Sequence, residues 1–525
     1  MLYDTAIQAR DSESIDDDAV VGFGPDAPQT CESIESLADR RTDATFTDRA
    51  VSAVDASRAA LAEAHRRGDD IYGLTTGFGP HVCYSADSNA AAQGTDLIAH
   101  LTAGCGPYAE RRVSRATLAV RSQTLAQGMS GVHLSVARAV LALLRHDVCP
   151  AIPTIGSVGA SGDLIPLAHV ARVLSGTGHV IDDAGRPACA ADALSRAGLQ
   201  PIALPGRDAL AIVNGTAFMT AYAALALARA DRLIRIAESL TAWAYRSLAA
   251  RDQALDARLH AARGHAGQVQ SASNIASELR GHAEDRSRPL QEVYSLRCAP
   301  QILGACRDQL SYARRTIEQE LNGVNDNPVV CDSSDGPAVL HGGNFQGQQI
   351  AFAADAANAA LTQAGLLIER QLAVVLDPQL NGGAPLLLAW QPGATSGIAG
   401  AQITATAVAA ELRRSATPSA VATMPTNGRN QDIVSMGTMA ARVFYEQTER
   451  CATILAVHGI ALVQLEYLRS FDRAPGRRTT KPVWFPEVEG FQRDRPLHGD
   501  IERVARNMLA HDVLSPLHAT TDHAP

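Results

Sequence analysis

The chain has 525 residues, which is enough to bury a substantial core and, by length alone, to form roughly two to four domains. Its formal net charge is −9, and acidic and basic residues are mixed along it, so no nucleic-acid partner is expected. The longest apolar stretches, such as 216–228, end at Arg229 well short of a membrane span, so no membrane partner is expected either. The acidic first residues are no secretory signal, and nine scattered cysteines without a Cys-x-x-Cys pair predict free thiols in a reducing cytoplasm.

The composition predicts four regions in chain order. Residues 1–30 are acidic and rich in turn formers, and we expect a disordered extension. Residues 31–210 are expected to form an N-terminal part, which begins with a helical pattern of alanine and leucine over Asp48–Arg67. Residues 211–475 are expected to form a bundle of long helices, and residues 476–525 a C-terminal tail segment.

A glycine-rich loop follows this first helical pattern. It runs from Ile71 to Pro80 as Ile-Tyr-Gly-Leu-Thr-Thr-Gly-Phe-Gly-Pro, and its three glycines and proline exclude a long regular element. A loop of this kind with a tyrosine near its start is typical of a mobile lid. Considered alone, Tyr72 is more simply a packing residue whose hydroxyl is hydrogen-bonded.

The most informative stretch runs from Gly156 to His169 as Gly-Ser-Val-Gly-Ala-Ser-Gly-Asp-Leu-Ile-Pro-Leu-Ala-His. In such a loop the Gly162 nitrogen can attack the Ala160 carbonyl carbon, because glycine has no Cβ to obstruct the approach. Loss of two waters, one of them from the Ser161 hydroxyl, would leave a methylidene-imidazolone. This group is an electrophile that no ordinary side chain supplies.

Three other interpretations compete with the electrophile for these residues: a P-loop, a nucleophile elbow and a flexible turn. A P-loop requires a Gly-Lys-Ser/Thr ending, which is absent. A nucleophile elbow requires Gly-x-Ser-x-Gly, and Asp163 occupies the place of its last glycine. A flexible turn is the ordinary interpretation of an isolated Ala-Ser-Gly, so the further motifs of the chain decide between the turn and the electrophile.

The second half of the chain alternates motifs with long helical patterns. Residues 180–205 predict short strands or a hairpin, and Asn214-Gly215-Thr216 then precedes an alanine-rich helix to about residue 250. Apolar positions without an interior proline predict further helices over 345–374, 398–415 and 430–471. Helices of this length must bury their apolar stripes against one another, which predicts an up-and-down bundle shared by several subunits.

Together these motifs resemble the aromatic amino acid ammonia-lyase family, which comprises histidine, phenylalanine and tyrosine ammonia-lyases and related aminomutases. The resemblance covers nearly the whole chain from about Tyr72 onward. It implies a mainly α fold of the fumarase/aspartase-like superfamily, with a long central helical bundle and a smaller mixed N-terminal part that carries the lid and the electrophile loop. It also implies a 4-methylidene-imidazol-5-one formed autocatalytically from Ala160-Ser161-Gly162, no external cofactor, no metal, and a homotetramer with shared active sites.

The resemblance also implies roles for residues at matching positions. Tyr72 would be the catalytic base of the inner lid, and Asn214 would lie beside the electrophile and the substrate amine. Phe345, in Gly342-Gly343-Asn344-Phe345-Gln346-Gly347, would pack against the imidazolone. Tyr294 belongs to a second lid with the pattern Tyr-Ser-Leu-Arg-x-x-Pro-Gln and is the first alternative base. An unperturbed phenol titrates near pH ~10, so we expect the site to lower the pKa of Tyr72.

The substrate-binding residues implied in the same way are Gly79, His100, Leu101, Arg297, Gln301, Asn430 and Gln431. Phenylalanine lyases commonly carry Phe-Leu at the ring-binding position, tyrosine lyases His-Leu and histidine lyases Ser-His, and this chain has His100-Leu101. Arg297 offers a planar fork that matches a carboxylate. Histidine lyases carry Glu where this chain has Gln431, which counts against histidine as the substrate.

The sequence therefore predicts a carbon-nitrogen lyase that converts L-tyrosine to p-coumarate and ammonia, in the cytoplasm. A tyrosine 2,3-aminomutase and a phenylalanine ammonia-lyase are the alternatives, and a non-catalytic helical scaffold is a remote one. Whether the electrophile would react with the amine or with the ring stays open. Two features depart from the family pattern: the acidic extension has no counterpart, and Met129-Ser130-Gly131-Val132-His133 lacks the arginine that often follows its Ser-Gly-Val.

Overall fold

The computed structural model describes residues 20–331, 336–471, 481–510 and 513. These residues divide into two compact units, each built from three stretches of the chain. The first unit, unit 1, takes its residues from 1–225, 317–351 and 421–439, and unit 2 takes its residues from 226–316, 352–420 and 440–525. Residues 1–19 of the predicted extension lie outside the described residues, whereas Val20–Phe23 form a strand.

The described residues are mainly α-helical, as the sequence predicted. The helices are α1 Cys31–Ala38, α2 Asp48–Arg67, α3 Ala90–Leu101, α4 Arg111–Ala126, α5 Leu134–Arg145, α6 Leu164–Leu174, α7 Ala190–Arg196, α8 Gly206–Val213, α9 Ala217–Leu248, α10 Ala257–Arg263, α11 Ala266–Ser277, α12 Tyr294–Arg297, α13 Ala299–Leu321, α14 Gln348–Leu376, α15 Ala399–Arg414, α16 Gly437–Phe471 and α17 His498–Leu509.

The described strands are short, lie in unit 1 and pair two by two. They are β1 Val20–Phe23, β2 Asp43–Phe46, β3 Cys105–Tyr108, β4 Pro153–Ile155, β5 His179–Ile181, β6 Pro187–Cys189, β7 Val329–Cys331 and β8 Ala338–Leu340. β1 and β2 pair in parallel, with Val20 opposite Asp43, and the other three pairs are antiparallel. The β5–β6 pair forms the hairpin that the sequence predicted within 180–205.

Local sequence signals account for the ends of the helices in unit 1. Thr47 precedes α2 and accepts a hydrogen bond from the Ala50 N–H at 3.1 Å, which satisfies one free donor of the first turn. Gly68 ends the same helix in the left-handed conformation that glycine adopts without strain. Asn89 caps α3 by accepting from the Ala92 N–H. The bounds of α2 therefore agree with the pattern seen in the sequence.

The long helices of unit 2 are joined by buried polar contacts as well as by apolar side chains. The indole N–H of Trp243 in α9 donates to a carboxylate oxygen of Glu466 in α16 at 2.8 Å, and Ser247 donates to the same oxygen. Thr241 in α9 and Gln371 in α14 are also hydrogen-bonded. These groups are satisfied without water, so they specify how the three helices align within the unit.

Helices α14 and α16 are long and apolar enough to cross a membrane by length and composition, a feature that the sequence analysis did not identify. Their apolar windows, however, are 72% and 78% buried inside the protein. A membrane-spanning helix would turn this surface to lipid, whereas these helices use it for packing.

The predicted start of α16 at residue 430 is wrong, because the helix begins at Gly437. Met436 has a left-handed φ of 56°, and its N–H donates to the Val158 carbonyl oxygen at 3.0 Å. Met436 is thus held in a conformation that cannot continue a helix by Val158, a tertiary contact that helical periodicity does not report.

Candidate active site

Most of the predicted site residues line a cavity of about 680 Å³ in unit 1. Its walls come from the glycine-rich loop after α2, from α3, from the loop before α6 and from the segment before α16. The predicted residues that line it are Tyr72, Gly79, His100, Leu101, Ala160, Ser161, Gly162, Asn214 and Gln431.

The Ala160-Ser161-Gly162 turn has a tightly constrained backbone. Ser161 and Gly162 have consecutive left-handed φ angles of 53° and 72°. A Cβ atom on Gly162 would lie 2.1 Å from the carbonyl oxygen of Gly215, so only glycine fits at this position. The Asp163 N–H donates to that same oxygen at 2.7 Å, which joins the turn to the Asn214-Gly215 segment.

Asp163 anchors the C-terminal end of the turn. Its side chain is fully buried and accepts from the Met219 N–H at 2.8 Å, from the Ser157 hydroxyl at 3.0 Å and from the Thr438 hydroxyl. Burial raises the pKa of Asp163 to about 6, and these hydrogen bonds act in the opposite direction. Because Met219 lies in the first turn of α9, the carboxylate also faces the positive end of that helix.

Two amide side chains, those of Gln431 and Asn214, lie in the wall of the cavity. Gln431 Nε2 donates to Ser161 Oγ at 3.3 Å. The Oδ1 atom of Asn214 is buried and has no hydrogen-bond partner among the described residues. A buried acceptor without a partner is costly unless a ligand supplies the donor. Asn214 Oδ1 therefore suits a ligand that carries a hydrogen-bond donor.

Tyr72 reaches the cavity from the loop after α2. Its hydroxyl oxygen accepts from the Gly79 N–H at 2.8 Å, and its ring meets Phe78 edge to face. We expected the site to lower the pKa of Tyr72, and the structure contradicts this. Desolvation raises the pKa above 10.0, while the Gly79 N–H and the positive charge of Arg207 oppose the rise without cancelling it.

His100 lies in the last turn of α3, on the face that lines the cavity. Its Nδ1 atom is 3.1 Å from the Asp96 carbonyl oxygen, which can only accept, so Nδ1 carries the proton. In the neutral ring Nε2 is then an acceptor. Leu101 follows in the same wall and supplies apolar surface.

Five predicted site residues do not line this cavity. Phe345 is half-buried and Asn430 is exposed, although both belong to unit 1. Tyr294, Arg297 and Gln301 belong to unit 2, where Arg297 and Gln301 line a separate cavity of about 660 Å³. The Arg297 guanidinium stacks over the Tyr294 ring at 4.6 Å, while Arg297 Nε and Gln301 Oε1 are buried without a hydrogen-bond partner in the described part of the chain.

Several residues that line the cavity were not singled out from the sequence. They are Phe78, Pro80, His81, Asp87, Gln93, Leu97, Leu164, Ile165, Leu210, Thr426 and Asn427. Gln93 and Leu97 share the helical face of His100 through the i, i+3 and i, i+4 spacing, so this spacing on α3 could have identified them. No comparable signal marks Thr426 and Asn427.

The described residues contain no group of three or more His, Cys, Asp or Glu side chains placed to hold a metal ion. All nine cysteines of the sequence lie within the described ranges and are free thiols.

The fold and the cavity define a class of protein. A mainly helical chain that places a tight Ala-Ser-Gly turn, a tyrosine hydroxyl and a histidine ring around one cavity has the features of an enzyme. The particular family follows from similarity to known proteins.

The sequence model of the aromatic amino acid lyase family matches residues 29–483. The chain is 38% identical over 480 residues to a tyrosine ammonia-lyase of Cereibacter sphaeroides, which covers 86% of this chain and 91% of the relative. It is also 38% identical over 438 residues to a histidine ammonia-lyase of Paracidovorax citrulli, covering 82% and 85%. Among solved structures, tyrosine aminomutase from Streptomyces globisporus superposes with a TM-score of 0.89 at 34% identity, covering 96% of this chain and 100% of that one.

The chain therefore belongs to the aromatic amino acid lyase family, and it is a carbon-nitrogen lyase.

Proposed function

We propose that the protein eliminates ammonia from L-tyrosine to give p-coumarate, using a methylidene-imidazolone formed from Ala160-Ser161-Gly162. The observation that carries the proposal is that a single cavity joins this turn to Tyr72 and His100. In the reaction the Cα–N bond breaks, the β-carbon loses a proton, and the two electrons of the C–H bond form the double bond.

The residues around the turn fit the modified group. Gly162 has no room for a side chain, and Gln431 Nε2, which donates to Ser161 Oγ, is a donor of the kind that an imidazolone, which can only accept, requires. Asn214 Oδ1, an acceptor without a partner among the described residues, is proposed to bind the substrate amine instead. When formed, the group supplies an electrophilic carbon that makes ammonia loss feasible. Holding the backbone in two consecutive left-handed residues brings the Gly162 nitrogen and the Ala160 carbonyl into one tight turn, which reduces the entropic cost of cyclisation.

Tyr72 is proposed as the base that takes the β-proton. Its hydroxyl oxygen faces the cavity and accepts from the Gly79 N–H, a bond that becomes stronger once the oxygen is negative. Arg207 provides a further positive charge that favours the phenolate. Since burial still raises the pKa of Tyr72, deprotonation is expected to be most complete at alkaline pH.

His100 is proposed to select tyrosine. Its Nδ1–H is used by the Asp96 carbonyl, so the neutral ring presents Nε2 as an acceptor for a substrate hydroxyl. Phenylalanine has no hydroxyl to offer, and binding it would leave this nitrogen without a partner if water is excluded. Because Nε2 can only accept in this tautomer, the substrate hydroxyl must donate the hydrogen bond.

The substrate carboxylate is proposed to bind Arg297, with Gln301 beside it and Tyr294 stacked below the guanidinium. Buried donor and acceptor atoms without partners in that cavity of unit 2 support the proposal. Neither Arg297 nor Gln301 lines the cavity of unit 1, and we propose a homotetramer in which active sites are shared between subunits. We further propose a cytoplasmic location, consistent with nine free thiols.

A tyrosine 2,3-aminomutase is the second candidate, because the structural match to a tyrosine aminomutase spans 96% of this chain. Such an enzyme would return ammonia to the β-carbon after the same elimination. The two activities share every residue argued above, so only the product separates them.

The test is to incubate purified protein with tyrosine, phenylalanine and histidine and to identify products by chromatography. The proposal expects p-coumarate from tyrosine as the main product, and an intact mass lower than the translated sequence by two waters. Accumulation of β-tyrosine would instead assign the aminomutase. Ser161→Ala is the matched control, since it removes the hydroxyl that must leave and should restore the unmodified mass while preserving the fold.

A further inference from the structure

The backbone of Tyr72 is tied to a residue far away in the chain. Its N–H donates to Nε2 of His341 at 3.1 Å, across 269 positions of sequence. A backbone N–H can only donate, so this bond requires a lone pair on Nε2 and therefore a neutral imidazole with its proton on Nδ1. The contact lies at the start of the loop formed by residues 71–86, which we call the inner-lid loop.

His341 is itself anchored away from the inner-lid loop. The N–H of the next residue, Gly342, donates to Asn327 Oδ1 at 2.9 Å. The Asn327 carbonyl accepts from Arg207, and the Arg207 guanidinium pairs with the buried Asp326 carboxylate at 2.7 Å. The imidazole therefore connects the inner-lid loop to a buried ion pair.

Two charges act on the His341 ring from the surrounding elements. Arg207 disfavours the imidazolium, and Asp70, just before the inner-lid loop, favours it. Partial burial is the largest influence, and together with Arg207 it holds the pKa of His341 below its ordinary value of 6.5. The ring is therefore neutral at physiological pH, as the bond to the Tyr72 N–H requires.

We propose that His341 is a positioning residue: its neutral imidazole holds the start of the inner-lid loop so that the Tyr72 hydroxyl stays at the Gly79 N–H inside the cavity, and protonation of the imidazole releases the loop. This inference rests on the proposed function of Tyr72 as the base. His341 does not line the cavity, and its proposed effect passes through its hydrogen bond to the Tyr72 backbone.

The sign of the pH effect follows from the donor requirement. In the imidazolium both ring nitrogens carry protons, so neither can accept from Tyr72. Because the pKa of the folded protein is lowered, the bond and its stabilisation are fully present above pH 6.5 and are lost as pH falls through the lowered pKa. The effect is thus confined to the acidic side of the profile.

The test compares kcat against pH for wild type, His341→Gln and His341→Phe, with His65→Gln in the last turn of α2 as the control for histidine removal. Glutamine presents Oε1 as an acceptor that does not titrate, so its kcat should stay within a few-fold of wild type above pH 7. Below the His341 pKa, kcat of wild type should fall towards that of His341→Phe and then level off, a loss of up to about tenfold that His341→Gln should not show. His341→Phe has no acceptor, and its kcat should fall several-fold to about tenfold at every pH, the factor that corresponds to losing one ordinary hydrogen bond of about 0.5–1.5 kcal/mol.

Hydrogen exchange supplies a readout that does not depend on turnover. At pH 7.5 the Tyr72 amide, followed in a peptide spanning residues 68–80, should be protected in wild type and His341→Gln and exchange faster in His341→Phe. The inference would be overturned if kcat fell equally with decreasing pH in wild type and His341→Gln. It would also be overturned if the Tyr72 amide exchanged equally slowly in wild type and His341→Phe. Absence of turnover in wild type would instead count against the proposed function, and the exchange measurement would still decide whether His341 holds the loop.

Discussion

The electrophile loop, residues 156–163, and the inner-lid loop, residues 71–86, face one cavity but are enclosed to different extents. In the electrophile loop a Cβ on Gly159 would lie 2.2 Å from Ser435 Oγ, and one on Gly162 would lie 2.1 Å from the Gly215 carbonyl oxygen. The inner-lid loop is tightly packed only near its start, where a Cβ on Gly73 would lie 2.5 Å from Leu210, whereas one on Gly79 would meet only a side-chain amide at 3.0 Å and Val82 and Tyr84 are exposed. Residues distant in sequence therefore enclose the electrophile loop, whereas the tip of the inner-lid loop is open.

This difference corresponds to what the two loops are proposed to do. Cyclisation of Ala160-Ser161-Gly162 needs two backbone atoms of the same chain held in contact, which a rigid surrounding favours. Proton removal by Tyr72 needs the base to be enclosed with the substrate and yet to let the product leave, which a loop with an exposed tip allows. Three substitutions test this contrast.

The largest effect is expected for Gly162→Ala. The new Cβ would contact the Gly215 carbonyl oxygen at 2.1 Å, and the φ of 72° is unfavourable for alanine. The turn should no longer cyclise, so the intact mass should equal that of the translated sequence and kcat should fall below detection.

The matched control is Gly68→Ala, since Gly68 has a φ of 85° with nothing within 4 Å of its Cβ position. It should cost only about 1 kcal/mol in the free energy of unfolding and keep both the mass deficit and the activity. A two-water deficit in Gly162→Ala would show that the enclosing backbone is not required.

A smaller but still large effect is expected for Tyr72→Phe. The substitution removes one oxygen and the single hydrogen bond that it accepts from the Gly79 N–H, so Tm should change little. By contrast kcat should fall by about 10²–10⁴, the factor that a general base typically contributes. Because burial raises the pKa of Tyr72 above 10.0, the phenolate fraction and with it the wild-type kcat should increase with pH up to that range.

This increase of kcat with pH should be absent in Tyr72→Phe. Measuring kcat of both proteins from pH 7 to 10 would show the difference. If Tyr72→Phe keeps the wild-type kcat and the rise, the base lies elsewhere, and Tyr294 is the next residue to replace.

The smallest effect is expected for His100→Phe, which should change selectivity rather than overall rate. Tyrosine would have to bury its hydroxyl without an acceptor, at a cost of about 1–3 kcal/mol or roughly tenfold to a hundredfold in affinity. Phenylalanine would gain apolar contact. The ratio of kcat/KM for tyrosine over phenylalanine should therefore fall below one, with the exposed His65→Phe as a control outside the cavity. An unchanged ratio would show that His100 does not contact the ring of the substrate.

Much of the site was predictable from sequence because its motifs are local. The Ala160-Ser161-Gly162 turn, the His100-Leu101 pair and Asn214, which the resemblance singled out, all line the same cavity. Helix α2 has the predicted bounds, because apolar spacing and capping residues act within a few positions. The start of α16 was wrong, because Met436 is held by Val158 from a distant part of the chain.

The sequence by itself determined which apolar helix faces must be buried and which side chains can perform the chemistry. These depend on residue type and on spacings of a few positions. Only the tertiary structure decided that His341 holds the Tyr72 backbone, that Asp163 is fully buried, and that Arg297 lines a cavity of unit 2. It also reversed the expected direction of the Tyr72 pKa shift. That direction is set by desolvation, which raises the pKa, against the Gly79 N–H and the charge of Arg207, which lower it. Desolvation depends on residues from many parts of the chain, so the sequence alone could not decide the balance.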